Sequence, residues 1–187
     1  MFEKFTKDAR EVVRAAVEHA GRTGGGTVGE PELLLALLDR TDSPAAAALG
    51  TLGVHRRRES VVEALATVRR RGGISTADAE ALAGLGIDVD AIVARVEHAH
   101  GVGALAADGA AGPRKRVRRP FTAEARSVLE RALRIAVGRG ERRLGDEHLL
   151  LALTTGPGPA AAVLADHGAS YAEVLRAVGE GPARKAS

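Results

Sequence analysis

Gly29-Glu30-Pro31-Glu32-Leu33-Leu34-Leu35-Ala36-Leu37 and Gly145-Asp146-Glu147-His148-Leu149-Leu150-Leu151-Ala152-Leu153 run from a glycine, through an acid-bearing triplet, into the same Leu/Ala block. They lie 116 residues apart, and the offset extends backwards without a gap. Phe5-Thr6 matches Phe121-Thr122, Ala9-Arg10 matches Ala125-Arg126, and Ala16 and Ala20 match Ala132 and Ala136. Farther on the offset becomes 115: Pro44-Ala45-Ala46-Ala47 matches Pro159-Ala160-Ala161-Ala162, Leu49 matches Leu164 and Gly53 matches Gly168. Shared helical composition could mimic a Leu/Ala run, but not Phe-Thr and Gly landmarks at constant spacing. One unit therefore occurs twice.

The unit is helical. Ala9, Val12, Val13, Ala16, Val17 and Ala20 form a stripe at i, i+3, i+4, i+7 spacing. Thr6 stands before it as an N-cap, and Asp8 lies in the first turn, where the helix dipole favours an acid. Gly24-Gly25-Gly26 stops that helix, and Pro31 opens a second one at a position where its missing N–H costs nothing. Ser43-Pro44 starts a short third helix ending near Gly50 or Gly53, and a fourth runs through Val61, Val62 and Leu65 to about Arg70. No stretch alternates as a strand would, so the expected fold class is all-α. A four-helix unit of roughly 65 residues is marginal alone, and pairing two similar apolar faces gives a pseudo-twofold pair with grooves along the seam.

Composition sets the limits. The 187 residues are 45% hydrophobic and 27% charged, which is ordinary globular usage. The absence of cysteine removes disulfides, thiol catalysis and thiolate metal sites, and fits a reducing compartment. No apolar run reaches bilayer-spanning length and the N-terminus lacks a signal-peptide pattern, so a cytoplasmic location is expected. The net charge of +3 is local: five cations sit in Arg114-Lys115-Arg116-Val117-Arg118-Arg119, and the rest of the chain is net negative.

Residues 78–96 have their own pattern, resembling 160–178: Leu82 meets Leu164, Ala83 meets Ala165, Gly86 meets Gly168, Asp88 meets Ser170 and Val96 meets Val178. The stretch reads as a partial third copy, with Asp88 as an N-cap; the alternative is a generic helical linker. Residues 101–119 read as a Gly/Ala-rich and then basic loop between Pro113 and Pro120. The expected division is 1–72, first repeat; 73–120, inserted hairpin and linker; 121–180, second repeat; 181–187, tail.

Phe-Thr at a helix start, Ala-Arg four residues on, then Gly-x-x-His/Glu-Leu-Leu-Leu-Ala-Leu, all twice, resembles the Clp N-terminal (Clp R) repeat domain at the head of ClpA- and ClpC-type AAA+ unfoldases. Met1-Phe2-Glu3-Lys4-Phe5-Thr6 also resembles the ClpC-type start. The resemblance implies a double helical repeat that docks Clp substrates, adaptors or cyclic peptides for an unfoldase/protease, without catalysis and without a cofactor. No Gly-x-x-x-x-Gly-Lys-Ser/Thr loop occurs, so the chain reads as a free-standing N-domain or as a piece of a larger protein. Competing for ligands with a full unfoldase would shield a Clp protease system.

The resemblance also implies site residues. ClpC-type domains carry a repeated Gly-Thr-Glu-His motif that holds phosphorylated arginine, the glutamate on the guanidinium and helix N-termini on the phosphate. In the second repeat Asp146, Glu147 and His148 match it, with Glu147 as the glutamate; in the first, Pro31 stands in its place. Glu147 is otherwise a first-turn carboxylate stabilising its helix. Thr6 and Thr122 are N-caps first and phosphate contacts second. Phe2 and Phe121 either line an apolar peptide groove or, like Phe5, fill the seam.

Other constellations are weaker. His98 and His100, two apart on a helix, point to different faces, and the remaining histidines are scattered, so no metal site is expected. The basic run 114–119 reads as a solvated linker; the alternative function is a DNA-binding regulator using it, with steeply salt-dependent binding. Arg56-Arg57-Arg58 and Arg69-Arg70-Arg71 read as exposed helix-end charges. No arrangement supports an enzyme.

Overall fold

The computed structural model describes residues 2–22, 26–106 and 119–180. Among these the chain forms ten α-helices and no strand. The first repeat supplies α1 (Lys7–Arg22), α2 (Glu30–Leu38), α3 (Pro44–Thr51) and α4 (Arg58–Arg70). The insert supplies α5 (Thr76–Gly84) and α6 (Val89–His100), and the second repeat α7 (Ala123–Gly138), α8 (Asp146–Thr154), α9 (Pro159–Asp166) and α10 (Tyr171–Glu180). The fold is all-α, as the periodicity predicts.

The starts are set by local chemistry. Thr6, Ser43, Asp88 and Thr122 each accept a backbone N–H three residues on, at 3.0–3.2 Å. Gly53, Gly86 and Gly168 have φ of +71°, +81° and +74°, a conformation only glycine adopts without strain. At each of these turns the following amide bonds back across the turn: Val54 to Leu49, Ile87 to Leu82 and Ala169 to Leu164, at 2.8–2.9 Å. The α3–α4, α5–α6 and α9–α10 hairpins thus share one turn geometry.

At nine residues each, α2 and α8 are too short to persist alone. Leu33, Leu34 and Leu37 of α2 and Leu149, Leu150 and Leu153 of α8 are almost wholly buried, each worth roughly 1.5–3 kcal/mol of burial. These two central helices, with α1 and α7 packed on them, form one core across both repeats. Around them the hairpins cross: α3 packs on α10, and α4 on α9.

The insert stands outside that core. No residue of α5 except its N-cap Ser75 is buried, and α6 buries only Val89 and Val93. Residues 101–106, expected as open loop, include a 3-10 turn at Ala104–Ala106 beside α4. The basic run is outside the described residues except for Arg119, as is the tail 181–187. No single described helix is long and apolar enough to cross a membrane; α8 and α9 are jointly apolar but meet at 91°.

Candidate functional site

The seam is built by two short backbone bridges. Phe5 pairs in parallel with Leu144, and Val28 with Phe121. The Thr6 N–H donates to the Leu144 carbonyl (2.8 Å) and the Leu144 N–H to the Lys4 carbonyl (2.8 Å). The Thr122 N–H donates to Val28 (3.0 Å) and the Val28 N–H to Pro120 (2.9 Å). Phe5 corresponds to Phe121 and Val28 to Leu144, so the bridges are a pseudo-twofold pair. Each sets the N-terminus of a long helix of one repeat beside the N-terminus of the central helix of the other. Two equivalent mouths result.

The residues singled out in sequence divide between these mouths. Thr6 lies beside Gly145, Asp146, Glu147 and His148; Phe121 and Thr122 lie beside Gly29, Glu30, Pro31 and Glu32. Phe121 is half-buried against the core while Phe5 is buried in it. Phe2 opens a 3-10 turn, Phe2–Lys4, and its side chain lies outside the described part.

At both mouths the third helical residue reaches back to cap its own helix. The Gly29 N–H donates to Glu32 Oε2 (2.8 Å), and the Gly145 N–H donates to His148 Nδ1 (2.9 Å). His148 is fully buried, and Glu147 is nearly so, its carboxylate folded back into the space a side chain at Gly145 would need. Because Nδ1 accepts, the proton of a neutral His148 ring sits on Nε2, which faces Glu141 Oε1 at 3.4 Å. Glu141, Glu147 and His148 are the one group among the described residues spaced to hold a cation. With Nδ1 engaged and Nε2 carrying the proton, the ring has no lone pair to offer a metal. Sequence spacing did not bring Glu141 to this cluster.

The first acid of each central helix crosses the seam. Asp146 is buried near the Ser43 side chain at the start of α3, and neither of its carboxylate oxygens has a hydrogen-bond partner among the described residues. Burial, reinforced by the neighbouring Glu147 charge, raises its pKa to about 6 against the partial relief from Ser43. Glu30 is its counterpart: its carboxylate fills the space beside Gly158, the N-cap of α9, with Arg131 Nη2 at 3.7 Å. Burial raises its pKa too, with Arg131 and the Ala160 N–H opposing. Glu30, Arg131 and Gly158 were not singled out in sequence; nothing local marks a pairing between residues so distant in the chain.

At the α2 mouth a cavity of about 210 Å³ opens, lined by Glu30, Glu32 and Thr122 with Pro31, Val68 and Leu105. Glu124 and Arg69 also border it, and Arg69 pairs with Glu32 at 3.2 Å. Arg69 matches Glu32 and Arg131 matches Glu30, which leaves Glu124 as the excess negative charge at this mouth. Leu105 comes from the 3-10 turn of the insert, so the insert forms one wall.

The arginine run at the end of α4 is more engaged than its sequence suggested. Arg70 holds Glu97 (3.2 and 2.9 Å) and Arg71 holds Asp90 (both 2.8 Å), two forked pairs tying α6 to α4. The carboxylates that satisfy them come from the insert, which a reading of α4 by itself does not see.

The family model described as the Clp repeat (R) N-terminal domain matches residues 120–186. The chloroplastic chaperone protein ClpC1 of Arabidopsis thaliana is 32% identical over 185 residues, 96% of this chain and 16% of that protein. The chloroplastic ClpA homolog of Brassica napus, an ATP-dependent Clp protease ATP-binding subunit, matches to the same extent. This chain belongs to the Clp N-terminal repeat domain family. It spans 16% of the length of these relatives. The solved N-terminal domain of the Arabidopsis thaliana chaperone ClpD superposes with a TM-score of 0.53 at 20% identity, over 95% of this chain and 94% of that one. The doubled mouths lie on that fold.

Proposed function

We propose that this Clp N-domain docks segments of Clp substrates, adaptors or cyclic peptides at its two seam mouths, and so modulates or shields a Clp protease system. The carrying observation is the cavity at the α2 mouth, where Glu30, Glu32 and Glu124 surround apolar walls from Val68 and Leu105. Such a pocket takes a basic side chain: the carboxylates attract a guanidinium and the walls receive its methylene stem. The α8 mouth offers Glu147 and Thr6 for the same chemistry, with the N-termini of α1 and α8 available to a phosphate on arginine. A cysteine-free chain suits a reducing compartment, and we place it in the cytoplasm.

Calorimetric titration with an arginine-bearing peptide, its phosphoarginine counterpart and a cyclic peptide tests this. Binding should weaken at least about tenfold in Glu32→Gln/Glu124→Gln for the unmodified peptide and in Glu147→Gln for the phosphorylated one. Absence of heat with all three ligands at millimolar concentration would remove the proposal.

A further inference from the structure

The α5–α6 hairpin carries an apolar face that nothing among the described residues covers. Leu85 is 78% exposed, Ile87 41% and Ile92 47%. Single exposed apolar residues mean little, but a contiguous face marks an interaction surface. Here its intended use can be read from the chain itself. Leu82, Ile87 and Ile92 occupy the positions of Leu164, Ala169 and Val174, all wholly buried in the α9–α10 hairpin, and the two hairpins share their glycine turn. What covers the α9–α10 face is the equivalent hairpin of the other repeat, with α3 on α10 and α4 on α9. The third hairpin has the same face and no such partner.

We propose that two copies of this chain pair through their α5–α6 hairpins about a twofold axis, α5 of each crossing α6 of the other. The pairing repeats between chains the crossing made within one, and an identical hairpin is self-complementary about such an axis. Charge favours it. Helix α5 carries Asp78 and Glu80 and no cation, while the C-terminal half of α6 carries exposed Arg95 with His98 and His100. The acids of α6, Asp90 and Glu97, are engaged by Arg71 and Arg70, which leaves Arg95 as its unmatched charge opposite the acids of α5, and each contact occurs twice. The forked Arg70–Glu97 and Arg71–Asp90 pairs hold the hairpin on α4 with its apolar side outward. The inference does not depend on what the seam mouths bind.

Sedimentation equilibrium of the full chain decides it. At concentrations up to about 0.2 mM the mass should rise to twice 19.3 kDa. Ile87→Asp/Ile92→Asp, at two exposed positions, should stay monomeric throughout with an unchanged far-ultraviolet circular dichroism spectrum. Arg95→Glu should weaken association roughly tenfold, and Asp78→Lys/Arg95→Glu should recover most of the loss by exchanging the charges. A wild-type chain that remains monomeric overturns the proposal. So does a dimer that survives the Ile87/Ile92 substitutions, or one indifferent to Arg95→Glu.

Discussion

Glu30, on the first repeat, lays its carboxylate into the space left by Gly158, the N-cap of a helix in the second repeat. The pseudo-twofold counterpart sets Asp146 near Ser43. Where the N-cap has a side chain, the crossing acid is short; where it has none, the acid is one methylene longer. The two seams are filled to similar volume by different residues.

The first prediction follows from this exchange of volume. Gly158→Ser alone sets a side chain against the Glu30 carboxylate and should lower stability by about 1–3 kcal/mol in urea denaturation. Combined with Glu30→Asp it reproduces the Asp146–Ser43 arrangement, and most of the loss should return. A double variant no more stable than the single one would show that the residues do not share that space.

Burial and Glu147 raise the Asp146 pKa from 3.8 to about 6. The folded state then holds a proton that the unfolded state has released, so this group lowers stability as pH climbs from about 4 to about 6 and leaves it low above. The effect is of the order of 2–3 kcal/mol. Asp39 acts in the opposite direction: burial opposes its charge, but bonds from Arg58 and His19 outweigh this and lower its pKa, so its contribution is lost as pH falls. Comparing Asp146→Asn with wild type across pH 3.5–7.5 isolates the first effect. The variant should gain relative stability with rising pH; parallel profiles would contradict the assignment.

The third prediction concerns the insert. Arg70→Ala/Arg71→Ala removes both forked pairs between α4 and α6. Amide exchange in 76–100 should quicken by roughly tenfold, with α1, α2, α7 and α8 unchanged. Global acceleration would mean that the insert supports the whole core.

Much of the architecture was legible from residue order. The duplicated Leu-Leu-Leu-Ala-Leu block, the Phe-Thr landmarks and the helical stripes locate the helices of both repeats, and Gly86 with Asp88 marks the third hairpin. These features succeed because caps, turns and periodic faces act within a few residues of one another. The division of candidates between two mouths was not legible. Thr6 and Glu147 share a mouth only because Leu144 bridges Phe5, and Leu105 walls the other mouth only because the insert folds back onto α4.

Order along the chain by itself determined helices, their ends and their duplication, since each depends on contacts within a turn or two and on which side chains are apolar. Tertiary structure alone decided that Glu30 and Asp146 reach across to the other repeat, and that Arg70 and Arg71 clasp acids from α6. A buried charge or reaching side chain takes its partner from whatever packing brings within about 4 Å, and for these residues much of that neighbourhood is distant in sequence.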